Sequence, residues 1–305
     1  MIPEFPIFIP LALEHREALE AYLHQHPPLM SEYTFTNLYA WQPIAGYAIA
    51  RYGDGFLLCK EGVRGPALLQ PLVSTAVEDA VRDGLAYLRT QTATPRIERV
   101  DEAFIQQADW TARGLTVCED RDNFDYVYRV DELVELKGEL FHDKKNLLNQ
   151  FVKRQTYTYR PLTTELIAQG LALGHQWCEE RECEKNAGLA QEQCAVHRML
   201  THFPALRATG GVIEIDGKLV ALTLGEALTA DTLVIHIEKA IGSYPGLYQA
   251  INWEYLRHAG AGFTYVNREQ DLGAPGLRKA KLSYNPAFFV RKFVLEGCSI
   301  RGQTT

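Results

Sequence analysis

The sequence lacks several patterns that would assign a function by themselves. It contains no run of about 18 apolar residues, so we expect no membrane-spanning helix. It has neither the G-x-x-x-x-G-K-S/T loop of P-loop proteins nor the G-x-S-x-G elbow of serine hydrolases. No basic segment followed by an apolar run stands at its start, so we expect no signal peptide.

Positive charge is also scarce. The chain has 31 lysines and arginines against 38 aspartates and glutamates, which gives a formal net charge of −7. Proteins that bind nucleic acid over their whole surface are usually basic, because neutralising phosphates provides most of the affinity. Any RNA partner must therefore be bound by a local basic patch.

Cysteine is sparse and shows no paired spacing. The six cysteines form no C-x-x-C motif, so we expect reduced thiols in a cytoplasmic protein. Cys178, Cys183, His175 and His197 lie near one another in sequence, but their spacing matches no zinc motif. We therefore expect no bound metal.

What is present is a large apolar content. Hydrophobic residues make up 47% of 305 residues, and this length exceeds the usual size of one domain. We predict two domains, residues 1–135 and residues 136–305.

Apolar periodicity and turn signals predict alternating helices and strands in both halves. Gly53-Asp54-Gly55 and Asp216-Gly217 are hairpin signals. In the first half we predict helices at residues 11–26, 31–41, 75–90 and 102–113, and strands at 47–52, 56–60, 67–73, 96–100 and 124–129. After a connector at 131–140 we predict helices at 141–156, 164–182, 191–202, 247–259 and 277–284, and strands at 157–162, 210–215, 219–226, 231–240, 263–267 and 288–296.

Two long segments in the second half carry a family resemblance. Residues 244–254 read YPGLYQAINWE, and residues 263–286 read FTYVNREQDLGAPGLRKAKLSYNP. Both resemble a bacterial family related to the C-terminal domain of phosphatidylglycerol lysyltransferases. Residues 31–41 and 144–151 fit the same family, so the resemblance covers nearly the whole chain.

The resemblance implies an α/β (α+β) protein with two GNAT-like acyltransferase domains in tandem. Each domain would have a mixed, mainly antiparallel sheet flanked by helices, and the working site would lie in the second. It also implies similarity to Fem-type enzymes, which move an aminoacyl group from tRNA to an amine or hydroxyl. The lysyltransferases carry a membrane-spanning portion that this sequence lacks, so a phospholipid acceptor does not follow.

A site of this type must hold a phosphate-bearing donor. Glycines allow close backbone approach, and a helix start favours anions, so a Gly242–Gly246 turn before a helix is a candidate. Arg278 and Lys281 share a helix face and could bind phosphates. The alternatives are an ordinary turn and a solvated basic face. The predicted donor-binding residues are Gly242, Tyr244, Gly246, Tyr248, Asn252, Asn267, Arg278 and Lys281.

The site must also accept a proton from the attacking nucleophile. His236 and Glu238 alternate on one predicted strand and so face the same side. Glu238 is the leading candidate because a carboxylate among apolar neighbours is costly to bury without a role. His236 is second, and Glu269, at the end of the next strand, is third. A structural ion pair is the alternative for each.

A basic segment is the best candidate for an RNA contact. Residues 137–160 contain six lysines and arginines against two acidic residues. Tyr157 and Tyr159 lie among them and could stack on unpaired bases. A solvated helix face is the alternative. The predicted contact residues are Lys144, Lys145, Lys153 and Arg154.

Three functions remain open because a fold does not decide function. The first is an aminoacyltransferase that uses charged tRNA, the second an acyl-CoA-dependent N-acyltransferase, and the third a non-catalytic binding module. We expect no tightly bound cofactor: charged tRNA or a coenzyme A thioester would be a co-substrate, and the acceptor a small molecule or peptide.

Overall fold

A computed structural model describes residues 1–62 and 64–297. It divides into two compact units, one formed by Met1–Phe124 with the segment from Val290 onward, the other by Asp125–Phe289. These bounds differ from the predicted division between residues 135 and 136, because the chain returns to the first unit near its end.

The described residues contain 14 strands and 11 α-helices. The strands are β1 (Ile9–Pro10), β2 (Ala48–Tyr52), β3 (Gly55–Lys60), β4 (Ala67–Leu69), β5 (Arg96–Asp101), β6 (Leu115–Glu119), β7 (Asp125–Arg129), β8 (Thr158–Pro161), β9 (Thr209–Ile215), β10 (Lys218–Ala227), β11 (Thr232–Ala240), β12 (Tyr265–Asn267), β13 (Phe288–Val290) and β14 (Lys292–Gly297). The helices are α1 (Arg16–Gln25), α2 (Phe35–Ala45), α3 (Val77–Arg89), α4 (Glu102–Ile105), α5 (Val130–Glu135), α6 (His142–Arg154), α7 (Ile167–Glu180), α8 (Ala187–Thr201), α9 (Phe203–Leu206), α10 (Leu247–Ala259) and α11 (Pro275–Leu282).

The first unit is built on a seven-stranded sheet in the order β1-β2-β3-β4-β5-β14-β6. The pair β4 and β5 is parallel, and the other neighbours are antiparallel. Helix α3 places Val81, Leu85 and Leu88 on one face, and these side chains pack with Ile97 and Trp110 into the core.

The second unit repeats this arrangement in a sheet ordered β13-β7-β12-β11-β10-β9-β8. The strands from β8 to β11 are antiparallel neighbours, β11 and β12 are parallel, and β12 and β7 are antiparallel. The predicted hairpin at Asp216-Gly217 joins β9 and β10 and is confirmed.

Two strands belong to a different sheet from the one that the sequence predicts. Residues 124–129 were expected to close the first half, but β7 belongs to the second sheet. The predicted strand at residues 288–296 is two strands, β13 in the second sheet and β14 in the first. Apolar alternation shows that a segment is half buried, but it does not identify the neighbouring strand.

Other local predictions also need correction. The predicted connector at 131–140 contains α5, which buries Val130 and Leu133. The predicted helix at 102–113 ends at Ile105. Strand β6 was missed because, of its five residues, only Leu115 is buried, which leaves little apolar alternation.

The expectation of reduced thiols is wrong for one pair of cysteines. A disulfide joins Cys178 to Cys183, between the last turn of α7 and the turn that follows it. The reversal of the chain after α7 brings these residues together, and no cysteine motif marks it. Cys59, Cys118 and Cys194 are free thiols.

Among the helices of the described residues, none combines the length and the apolar character needed to cross a membrane.

Candidate active site

The candidate site lies in the second unit, where two parallel strands part. β12 pairs with β11 only from Thr232 to Val234, whereas β11 continues to Ala240 beside β10. Beyond that point β11 carries His236 and Glu238, and the chain after β12 carries the residues that contact them. Strand ends of this kind commonly hold functional side chains.

Glu238, the leading predicted base, is an ion-paired carboxylate. Its Oε2 accepts hydrogen bonds from Arg268 Nη2 at 2.5 Å and Nε at 3.2 Å, and its Oε1 accepts one from Asn252 Nδ2 at 2.8 Å. Burial opposes the charge of Arg268, but Glu238 outweighs it and raises the pKa of the guanidinium. Asn252, predicted to line the donor channel, is buried and holds Glu238.

His236 lies between two carboxylates. Its Nδ1 is 2.7 Å from Glu269 Oε1 and its Nε2 is 2.9 Å from Glu226 Oε1, with the side chain fully buried. Burial disfavours the imidazolium, but the hydrogen bonds to Glu226 and Glu269 outweigh it and raise the pKa of His236 to about 9. At neutral pH the ring is protonated, and both nitrogens donate hydrogen bonds.

Lys281 of α11 points to the same strand end. Its Nζ donates to the backbone carbonyl of Arg268 and, at 3.4 Å, to that of Glu269. Burial and the neighbouring Arg268 lower the pKa of Lys281 to about 8. The structure thus brings Lys281 near Glu238 and Glu269.

Arg278 is occupied by a different partner. Its Nε and Nη2 each bind the buried carboxylate of Asp271 at 2.8 Å. Asp271 also accepts hydrogen bonds from the hydroxyl of Tyr126 and the backbone N–H of Gly273. Although burial acts the other way, these contacts lower the pKa of Asp271 to about 2. This network anchors the loop before α11.

Asn267 has a similar supporting position. It is fully buried, and its Nδ2 donates to Asp125 Oδ2 at 3.0 Å. Its Oδ1 accepts the backbone N–H of Glu269 at 2.8 Å, so the side chain predicted to bind the donor orients the backbone at Glu269.

Tyr284 is a site residue that sequence reasoning missed. The Nζ of Lys144 lies 4.5 Å from the centre of its ring, and the Cζ of Arg268 lies 4.8 Å from it. Burial and the charge of Arg268 lower the pKa of Lys144. We call Lys144, Arg268 and Lys281 the cation cluster. Tyr284, which packs against this cluster, lies within residues 263–286, so that motif was the sequence signal that could have identified it.

One nitrogen of the cation cluster has no partner. Arg268 Nη1 is buried and makes no hydrogen bond to any residue that the structure describes. Leaving a buried donor of a charged group unsatisfied is costly. The cluster therefore keeps one hydrogen-bond donor unused.

The glycine turn, residues 242–246, leads from β11 into α10. Gly246 has φ +88°, and a Cβ there would lie 2.2 Å from the carbonyl oxygen of Leu147, so packing against α6 requires glycine. The backbone N–H of Gly242 donates to Glu180 Oε2 at 3.0 Å. The turn is therefore held by α6 at Gly246 and by α7 at Gly242.

The two tyrosines predicted for the donor site pack beside this turn. Tyr244 is partly buried against the core of the second unit. The hydroxyl of Tyr248 accepts a hydrogen bond from the indole Nε1 of Trp177 at 2.7 Å.

The glycine turn and the cation cluster lie next to each other. Burial raises the pKa of Tyr284, and this shift is opposed by Arg268 and by the side chain of Gln249, in the first turn of α10. Helix α6 contacts both, since Leu147 packs on Gly246 and Lys144 lies over Tyr284.

The predicted RNA-contact residues divide into two groups. Lys144 belongs to the cation cluster, whereas Lys145, Lys153 and Arg154 are exposed on α6. The two tyrosines expected to stack on bases are engaged within the unit, since the hydroxyl of Tyr157 donates to Glu254 and the ring of Tyr159 stacks on His258.

No metal site is evident in the part of the chain that is described. Across residues 1–62 and 64–297, no group of three or more His, Cys, Asp or Glu side chains is placed to hold a metal ion.

The two sheets, each of which contains a parallel pair and is flanked by helices, define a tandem GNAT-like acyltransferase fold. The predicted fold class is thereby confirmed. The model of the phosphatidylglycerol lysyltransferase C-terminal family matches residues 24–296. The chain belongs to that family, which confirms the resemblance.

Solved structures agree with this assignment. A conserved protein of unknown function from Bacteroides thetaiotaomicron VPI-5482 is 30% identical, with a TM-score of 0.89, and the match covers 98% of this chain and 100% of that one. L-PGS from Bacillus licheniformis is 13% identical with a TM-score of 0.65, covering 99% and 95%. FemX is 11% identical with a TM-score of 0.58, covering 95% and 96%. The last two likenesses show the fold alone. No curated protein matches the sequence.

Proposed function

We propose that this protein is a transferase that moves an aminoacyl group from charged tRNA to an amine or hydroxyl of a small molecule or peptide. Membership of the phosphatidylglycerol lysyltransferase C-terminal family and the fold shared with L-PGS and FemX support this class of reaction. We place the reaction in the cytoplasm, where charged tRNA is available.

The observation that carries the proposal is the cation cluster with its unsatisfied guanidinium. Lys144 and Arg268 lie over the ring of Tyr284, Lys281 donates to the backbone carbonyl of Arg268, and Arg268 Nη1 is buried without a partner in the described residues. A phosphate oxygen would satisfy that nitrogen and gain the charge of the two lysines. The terminal nucleotides of tRNA supply phosphates together with bases.

Helix starts favour the second unit as the donor site. In the first unit the helix that follows the parallel-paired strand is α3, and its first turn carries Glu78 and Asp79. In the second unit the corresponding helix is α10, whose first turn carries no acidic residue. Because a helix N-terminus favours anions and nearby carboxylates repel them, α10 suits a phosphate better than α3.

Helix α6 offers a route for the rest of the RNA. It contributes Lys144 to the cation cluster and exposes Lys145, Lys153 and Arg154 along its length. We propose that these exposed side chains bind the RNA backbone, which would direct the charged end of the tRNA toward Tyr284.

For the proton acceptor we favour Glu238 or Glu269 over His236. A protonated His236 has no lone pair to offer, and its geometry suits holding Glu269 in place. Lys281, whose pKa lies near neutrality, could stabilise an oxyanion through its ammonium group.

Binding measurements test the proposal. Charged tRNA at about 100 times its dissociation constant should stabilise the protein by about 2.7 kcal/mol in thermal unfolding. Lys281→Ala should weaken tRNA binding by about tenfold or more, because it removes a charge-assisted contact. Lys279→Ala, which removes an exposed lysine of the same helix, should change affinity less than about twofold.

The other outcomes identify the alternatives. Stabilisation by a coenzyme A thioester alone would establish the acyl-CoA-dependent reaction instead, and no response to either donor would favour a binding module. Because Lys281 also bonds to backbone carbonyls, Lys144→Gln provides a second variant whose loss of affinity does not depend on the loop. Equal affinity of Lys281→Ala, Lys144→Gln and wild type would remove the cation cluster from the site.

A further inference from the structure

The last turn of α7 holds the glycine turn. Glu180 Oε2 accepts the backbone N–H of Gly242 at 3.0 Å, and Glu180 Oε1 accepts a hydrogen bond from Gln176 at 3.3 Å. Three residues earlier on the helix, Trp177 donates its indole N–H to Tyr248 in the first turn of α10. One helix end therefore contacts both the turn and the helix that follows it.

The Glu180 carboxylate stands where a donor phosphate would be expected. It is an anion bound to the backbone N–H of Gly242, at the beginning of the glycine turn that leads into α10 and that the sequence favours for a donor phosphate. Helix α10 itself carries no acidic residue in its first turn, so this negative charge is brought from another helix. A phosphate that binds this turn would have to displace Glu180 or bind more weakly because of the negative charge of Glu180.

The disulfide lies between the two contacts. Cys178 immediately follows Trp177 and precedes Glu180 by two residues, and its partner Cys183 begins the short helical turn Cys183–Lys185. The bond therefore ties the last turn of α7 to the segment beyond it. Without the bond, that turn would be free to fray, as helix ends commonly do.

We propose that Glu180 is an autoinhibitory anion on the glycine turn, and that the Cys178–Cys183 disulfide holds it there until a dithiol reductant releases it. The inhibition rests on the proposed function, because the displaced ligand is the phosphate-bearing donor. The tether itself is a property of the second unit alone and can be measured separately.

The redox step needs a dithiol as its two-electron reductant. One thiolate of the dithiol attacks the sulfur of half-buried Cys178, the Cys178–Cys183 bond breaks, and buried Cys183 leaves as a thiolate and takes up a proton. The second thiol of the dithiol then attacks the mixed disulfide, closes the reductant into a disulfide and releases Cys178 as a thiol. The protein gains two electrons and two protons.

Donor affinity tests the inhibition. We would measure binding of charged tRNA, and of coenzyme A, to the oxidised protein, to the protein reduced with dithiothreitol, and to Cys178→Ser/Cys183→Ser. Reduction and the double serine variant should each raise affinity about two- to fivefold, the size of one exposed charge near a helix start. Thiol titration after unfolding should show two more thiols in the reduced protein.

Matched variants identify the carboxylate. Glu180→Gln should show the raised affinity in the oxidised state and no further rise on reduction. Glu179→Gln removes the same charge from the neighbouring exposed position and should behave as wild type. Cys194→Ser, which removes a free thiol on α8, should keep the response to reduction. Equal affinity of oxidised and reduced wild type, or equal behaviour of Glu180→Gln and Glu179→Gln, would overturn the proposal.

Hydrogen exchange separates this proposal from the proposed function. The Gly242 amide should exchange faster after reduction and in Glu180→Gln than in the oxidised wild type, whether or not any donor binds. If neither tRNA nor coenzyme A binds in any state, the transferase proposal fails while faster exchange still supports the tether. Unchanged exchange of Gly242 on reduction would refute the tether.

Discussion

The two units share a sheet pattern but use buried charge differently. In the first unit Glu32 binds buried Lys292 at 2.5 Å and Arg99 at 2.8 Å, and Arg99 also binds Asp120 at 2.9 Å. In the second unit Arg268 binds Glu238 yet keeps Nη1 buried without a partner in the described residues. A network in which the charged groups pair with one another suits a structural role. A network that keeps an unused donor can still bind a ligand.

The place where the two strands of each parallel pair part shows the same contrast. In the first unit Gln70 closes it with a neutral amide, accepting the backbone N–H of Asp101 at 2.8 Å and donating to its carboxylate at 3.3 Å. In the second unit the corresponding place holds charged residues of both signs, His236 and Glu238 facing Glu269 and Arg268. The repeated fold thus carries a neutral amide at this place in one unit and charged side chains in the other.

The largest expected effect tests whether the first network is structural. Glu32→Gln should destabilise the protein by about 3–4 kcal/mol in urea unfolding, because it removes the carboxylate charge that pairs with buried Lys292. Donor affinity should stay unchanged. Glu119→Gln, which removes an exposed ion pair with Arg291, should cost less than about 0.5 kcal/mol. If Glu32→Gln were fully folded but bound the donor more weakly, the network of the first unit would not be purely structural.

Two glycines with positive φ give an intermediate effect. Gly246→Ala should cost about 3 kcal/mol, since the substitution adds backbone strain and a clash with Leu147. Gly53→Ala in the first unit should cost only about 1 kcal/mol, because φ is +56° but no atom lies within 4 Å of its Cβ position. Thermal unfolding of both variants measures the difference, and similar costs would show that packing on α6 does not constrain the turn.

Two buried histidines should give effects on stability that depend on pH in opposite directions. His236 has a raised pKa of about 9, so its contribution is fully present below pH 6.5 and is lost as pH rises through 9. The contribution should be about 3 kcal/mol. Burial lowers the pKa of His15 in the first unit, so its contribution is present above pH 6.5 and is lost as pH falls.

Unfolding free energies from pH 5 to 10 would check this. His236→Gln should flatten the alkaline side of the profile, and His15→Gln the acidic side. A His236→Gln variant that keeps the alkaline loss would show that the Glu226–His236–Glu269 contacts do not hold a proton.

Local structure could be predicted where the sequence carries a strong periodic or turn signal. Helix α3 and the hairpin at Asp216-Gly217 are of this kind. The positions of β7 and β14 could not be predicted, because a strand's alternation records only which face is buried. The Cys178–Cys183 bond was missed for the same reason, since it depends on the path of the chain after α7.

The site was only partly readable from the sequence. The motif at residues 263–286 pointed to Glu269 and Lys281, which the structure brings to one strand end. The contact of Lys144 with Tyr284 joins residues 140 positions apart, and no spacing rule reports such a contact. Glu180 was not considered because an exposed glutamate at the end of a helix has no distinguishing pattern.

The positions of β7 in the second sheet and β14 in the first limit where the chain can be cut into two fragments that fold. A polypeptide ending near residue 135 would have its own β7 left over and would be without β14. A polypeptide starting there would have the reverse shortage. Each would expose unsatisfied backbone along an open strand edge, which invites aggregation. Because the first unit takes strands from both sides of the continuous segment Asp125–Phe289, no single cut separates the two sheets.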